Sequence, residues 1–124
     1  MREAKFRVWD ENAQEMIYEI GITPEGIPYS IPDNAEASDQ FNYYPSCHKM
    51  QYTGLKDETG REIWEGDIRE DRHGDIFSVV YEDDRASFVA KNVNRGRVPL
   101  DVWGIDSIFL GTVYENPELL EAAE

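Results

Sequence analysis

The chain has 124 residues, 40% of them hydrophobic and 12% aromatic, which is single-domain size with enough apolar material for a core that needs no disulfide staples. Lys and Arg total 12 against 26 Asp and Glu, a net charge of −14; that field repels phosphate backbones and anionic membrane surfaces, so nucleic acid and membrane are disfavoured as partners. Cys47 is the one cysteine, which excludes an internal disulfide and suits a reducing compartment.

Solubility is the plain reason for so much negative charge. A basic protein partner, or mimicry of nucleic acid by a carboxylate-rich face, is the sharper one. No apolar run approaches the roughly 20 residues a membrane-crossing helix needs. The start, Met1-Arg2-Glu3-Ala4-Lys5-Phe6, has charge but no apolar stretch behind it, so no signal peptide is read there. The protein is expected to stay where it is made.

Lys5 to Trp9 alternates with period two, Asp10 to Gln14 is a polar turn, and Met16 to Ile20 resumes the apolar pattern. This predicts an N-terminal β-hairpin segment over residues 1–22, with Met16, Tyr18 and Ile20 on one face and Phe6 and Val8 opposing them. Over residues 23–46 the periodicity is lost. Pro24, Pro28, Pro32 and Pro45 surround a polar stretch from Asp33 to Asp39. Proline removes an amide donor and holds its predecessor extended, so a proline-rich loop or linker is expected. Tyr29, Phe41, Tyr43 and Tyr44 argue that part of it packs.

Residues 47–124 read as a third segment. Met50 to Thr53 is strand-like, Lys56 to Gly60 is a turn with Gly60 suited to positive φ, and Arg61 to Trp64 is the return strand. Gly66 marks a bulge or corner before Asp67 and Ile68. His73-Gly74-Asp75 is a tight turn, Phe77 to Glu82 a half-buried strand, Asp83-Asp84 a turn and Ala86 to Ala90 another strand. Asn92 to Arg97 is a polar loop, and Ile108 to Tyr114 the last strand. Asn116 is placed to cap a short C-terminal helix, with Pro117 at its first position and Glu118 complementing its dipole. Short strands at this spacing predict a small barrel or a sandwich.

Asp57, Glu58, Glu62, Glu65 and Asp67 crowd residues 51–68, with Glu70 just beyond. Glu65 and Asp67 share a strand face unless Gly66 bulges, and two such carboxylates can serve as acid and base or hold a hard cation. In a chain of 26 acids close pairs are unavoidable. A solvated turn between two strands is therefore preferred for this stretch. Cys47 and His48 are adjacent and His73 is remote, which is not the spacing of a zinc site. Glycine-rich phosphate loops, nucleophile elbows and dinucleotide fingerprints are missing from the sequence. No catalytic residue, metal ligand or cofactor is assigned, and a non-enzymatic role is preferred.

Lys91, Arg95 and Arg97, around Asn92, Asn94 and Gly96, depart from the general acidity. They offer an alternative nucleic-acid-binding loop, although three cations within a net −14 would hold phosphate feebly. Tyr52, Trp64, Phe77, Tyr81, Phe88, Trp103 and Phe109 are core candidates, and any left exposed would form a recognition patch.

Three pieces in order, "KFRVWD" with "MIYEIG", then "QYTGLKDETGREIWEGDI", then "GTVYENPELL", resemble the YopX family, uncharacterised proteins of temperate phages and prophages, mostly of Gram-positive bacteria. The match spans nearly the whole chain except the stretch between Pro24 and Ser46. The resemblance implies a phage or prophage origin, a place in the host cytoplasm, and an SH3-type β-barrel over roughly residues 50–115. It implies no activity and no site residues. The expectation is thus a mainly β protein: an N-terminal hairpin, a proline-rich connection, and a small C-terminal barrel with a short helix. Its expected role is that of an accessory protein binding a protein partner with a basic face, with homo-oligomerisation left open.

Overall fold

The computed structural model describes residues 5–31, 41–45, 47–92 and 96–122. Residues 32–40, at the centre of the expected loop, lie outside the described residues, as do Ser46 and, in the expected basic loop, Asn94 and Arg95. In chain order the elements are β1 Phe6–Asp10, β2 Glu15–Ile22, β3 Pro28–Ser30, β4 Asn42–Tyr43, β5 His48–Lys56, β6 Glu62–Trp64 and β7 Asp67–Glu70. There follow β8 Ile76–Glu82, β9 Ser87–Asn92, β10 Gly96–Pro99, α1 Leu100–Trp103, β11 Ile108–Thr112 and α2 Glu118–Ala122. The protein is mainly β with antiparallel pairing. It divides into two compact units, residues 1–51 and 52–124, and the division falls inside β5.

In the first unit β1 is flanked by β2 and the start of β5, and Arg7, Val8 and Trp9 are buried there. The β1–β2 turn is closed by Asp10, whose Oδ1 accepts the Asn12 and Ala13 amides at 3.0 and 3.3 Å. Phe6 faces Ile20 but Val8 faces Ile17, so β2 carries one extra residue. Glu19, at φ 58, takes the strained backbone there. This bulge corrects the expected alternation: Ile20 is buried whereas Tyr18 is 49% exposed, because an inserted residue inverts the pleat.

The expected loop contributes two short strands. β3 pairs with β2 and β4 with β3, and Pro28 sits at the first position of its strand, where a missing donor is tolerated. Gly21 makes room for this: a Cβ there would stand 2.6 Å from the Tyr29 ring. Tyr29 in turn stacks on Phe41 at 5.6 Å.

In the second unit the rest of β5 pairs with β6, and a five-stranded sheet runs β10-β9-β8-β7-β11. Strand alternation places Phe77, Val79 and Ala90 together, and Ile63 and Leu100 complete the core with Leu55, Phe88 and Val98 packed against it. Among the described residues no closed barrel is detected. β10 and β11 are the two ends of their sheet.

The expected polar loop after Asn92 is shorter than its sequence suggested, since β10 starts at Gly96 and pairs with β9. Asn116 does not cap the tail helix with its side chain. Its Oδ1 accepts the Thr112 amide at 3.3 Å, lying over Gly111, where a side chain would collide with it.

Candidate functional site

Two acids of the carboxylate-rich stretch, Asp57 and Asp67, enter a buried clasp. Asp57 opens a turn in which its Oδ1 accepts the Thr59 and Arg61 amides at 2.9 and 3.1 Å and the Thr59 hydroxyl at 2.6 Å. Its other oxygen accepts the Arg69 Nη2. Arg69 is 0% exposed; its Nε donates to Ser107 Oγ at 2.7 Å and its Nη2 also donates to the Ser107 carbonyl at 3.2 Å. Asp67 Oδ2 accepts the Trp64 amide at 2.9 Å and lies 3.8 Å from Arg69 Nη1. Ser107 Oγ donates onward to the Gly104 carbonyl at 2.6 Å.

This corrects the reading of a solvated turn at Asp57, while Lys56 and residues 58–61 are exposed as that reading expected. Asp57 is only 8% exposed, because a fully buried guanidinium on β7 requires a carboxylate partner. Burial alone raises the Asp57 pKa, but the bonds from Thr59 and Arg69 and the amides of Arg61 and Thr59 outweigh it and hold the carboxyl below its usual range. The clasp therefore holds a carboxylate that stays ionised at neutral pH. Glu65 is half-buried in the turn before β7, with Gly66 at φ 90 between it and Asp67. Asp67 is committed to the Trp64 amide.

The basic candidates are placed as follows. Lys91 on β9 and Arg97 on β10 face each other in register, and both are exposed. Arg97 is ion-paired with Glu82. Arg95 lies outside the described residues. His48 Nε2 lies 2.6 Å from Glu11 Oε1. The Cys47 thiol is pushed up by burial and by the negative charges of Asp10 and Glu11, the opposite of what a thiolate nucleophile requires. Among the described residues, no group of three or more His, Cys, Asp or Glu could hold a metal ion.

Of the core candidates, Tyr52, Trp64 and Phe77 are buried, Phe88 and Trp103 are half-buried, and Tyr81 is 43% exposed. Arg61 covers the Phe109 ring, its guanidinium 3.7 Å from the centroid.

A second feature has no signal in the sequence. Beside the core of the second unit lies a cleft of about 400 Å³. Its floor is Leu55 from β5, Phe88 from β9 and Leu100 from α1, and its rim carries the exposed side chains of Arg85, Ser87 and Asp101. Tyr81 packs edge-on against Phe88 at 5.1 Å. Thr53, also in the lining, donates its hydroxyl to the Ile63 carbonyl at 2.7 Å and accepts the Leu55 amide at 3.2 Å. Three segments far apart in sequence meet here, so no local motif announces it.

Fold and clasp together define a small, mainly β protein built on antiparallel ladders. The family model described as "YopX protein" matches residues 5–121, and the chain belongs to the YopX family. It is similar to the crystal structure of protein EF1440 from Enterococcus faecalis, with a TM-score of 0.68 and 25% identity over 97% of this chain and 99% of that one. No curated protein matches the chain. Among the described residues no helix is long and apolar enough to cross a membrane.

Proposed function

We propose that the chain is a non-enzymatic protein-binding module, a phage or prophage accessory protein acting in the cytoplasm of a bacterial host. The observation that carries the reading is the cleft: half-buried and buried apolar side chains at its floor with exposed charges at its rim, the layout of an interface core within a polar border. The clasp supports it from the other side. Its carboxylates are bound by arginine and backbone amides, an arrangement that stabilises a fold, and Asp57, held below the usual carboxylate range, offers no proton at neutral pH. The hairpin β5–β6 and the five-stranded sheet are the region we assign to the SH3-type arrangement expected over residues 50–115.

The nucleic-acid alternative is the weaker reading, because Arg97 is already neutralised by Glu82 and the chain carries a net −14. The test is capture from a bacterial host lysate by the immobilised full chain and by Ser87→Trp, which fills the cleft from an exposed position. A protein held by the native chain and lost with Ser87→Trp, associating more slowly as salt rises, is the expected result. A lysate from which the native chain holds no protein beyond what an unrelated acidic protein holds, or tight duplex DNA binding at physiological salt lost with Arg97→Ala, would overturn the reading.

A further inference from the structure

We infer that the cleft takes an extended segment of a partner protein, which seats one apolar side chain among Leu55, Phe88 and Leu100 and brackets it with a carboxylate for Arg85 and a cation for Asp101. This rests on the reading of the chain as a protein-binding module and names what that module recognises.

The volume, about 400 Å³, stands near the lower end of ligand pockets, which run from roughly 300 to 1,000 Å³. Size alone therefore admits a small molecule, and polar chemistry decides against it. A metabolite site needs convergent polar groups within the pocket to fix its ligand. Thr53 is the polar side chain in the lining that is buried, and its hydroxyl is already engaged as donor and acceptor within the fold. The polar side chains left over are exposed at the rim. Apolar contact in the centre with charge at the border is how a protein surface receives an anchor residue.

The rim charges then define the segment. Arg85 comes from the β8–β9 turn and Asp101 from α1. Among the described residues neither side chain has a hydrogen bond or ion pair. Two uncommitted charges of opposite sign beside one apolar floor are complementary to a dipolar segment, acid on one side of its anchor and base on the other. The net −14 of the chain speeds the approach of the basic end. Strand addition along β10, an end strand of its sheet, is not the mode of attachment. β10 has four residues and ends at Pro99, whose missing amide interrupts the edge where it reaches the cleft. Side chains, not a backbone ladder, carry the recognition.

The test is selection of a yeast-displayed library of short random peptides against the full chain. Selected clones are then measured on Ser87→Trp and on the double variant Arg85→Glu/Asp101→Lys. The expected clones carry one apolar residue bracketed by an acid and a base. They lose binding to Ser87→Trp, weaken by about tenfold or more on the charge-swapped variant, and regain it when acid and base are exchanged in the peptide. The double variant alters only exposed side chains, so it decides the matter even where Ser87→Trp folds poorly. Clones that bind all three proteins equally would overturn the cleft assignment while leaving the binding-module reading intact. Clones that need the cleft but show no charge pattern would overturn the bracket. A selection with no enrichment over an unrelated acidic protein would overturn both readings.

Discussion

The turn at 57–61, DETGR, and the turn at 71–75, DRHGD, follow one local plan. In each, the aspartate amide donates to the carbonyl four residues on, and the glycine amide donates back to the aspartate carbonyl. In each, one carboxylate oxygen accepts two amides: those of Thr59 and Arg61 in the first, those of His73 and Asp75 in the second. Gly60 and Gly74 take φ 89 and 84. The second carboxylate oxygen separates them. In Asp57 it meets the buried Arg69; in Asp71, only 5% exposed, it is buried with no hydrogen-bond partner among the described residues. Identical local grammar thus leads to one turn whose aspartate is tied into the buried clasp and one tied elsewhere, through the Arg72–Asp106 ion pair and the His73 ring against Trp103 at 5.6 Å.

The largest expected effect breaks the tie. Arg69→Met leaves Asp57 and Asp67 buried without their cation, and should cost about 3–5 kcal/mol in urea unfolding. A loss under about 1 kcal/mol would mean that water replaces the guanidinium.

Asp57→Asn comes next. It replaces a charge-assisted bond, worth about 1.5–3 kcal/mol, by a neutral one. The sign of its pH dependence follows from the lowered folded pKa. The carboxylate contributes stability above the unfolded value, and that contribution is lost as pH falls below the ordinary 3.8 and through the folded value. The native protein should therefore lose stability in acid faster than Asp57→Asn does. Parallel acid limbs in a pH series of urea midpoints would show that Asp57 is not the group responsible.

Gly60→Val and Gly74→Val probe what the turns share. A Cβ would meet nothing within 4 Å at either position, so backbone strain alone acts, at about 1–3 kcal/mol each. Clearly unequal costs would show that the two turns differ locally as well. The smallest effect is expected from Asp71→Asn, which keeps the oxygen that accepts the His73 and Asp75 amides and removes a buried negative charge that no cation offsets among the described residues. Its unfolding free energy in urea should stay within about 1 kcal/mol of that of the native protein. A loss as large as that of Asp57→Asn would place an unseen partner, such as an ordered water, on Asp71.

Much of the strand layout was legible from short-range patterns. Phe77 and Val79 alternate in the sequence and share the core with Ala90 of the next strand, although Tyr81 at the end of that alternation is exposed, and Gly60 adopts the positive φ that its place after Asp57 required. The three family stretches led to the right family. Where reading failed, the cause was usually a contact made at long range. Asn116 looked like a helix cap until Gly111 gave its side chain a place over the preceding strand. Tyr18 shares a face with Ile20 by simple alternation, and the bulge at Glu19 separates them, leaving Tyr18 exposed and Ile20 buried. The prolines after Thr23 hid β3 and β4, which Tyr29 anchors over Gly21.

Turns, strand alternation and the tail helix were determined by the sequence itself, because backbone preference and period-two patterning act over a few neighbouring residues. The clasp and the cleft were decided only in three dimensions. Arg69 lies 12 positions from Asp57 and 38 from Ser107, and β5, the β8–β9 turn and α1 meet at the cleft from separate parts of the chain. Whether a carboxylate is solvated or buried depends on the desolvation it suffers and the cation that compensates it. Both are set by groups that approach only when the chain has folded.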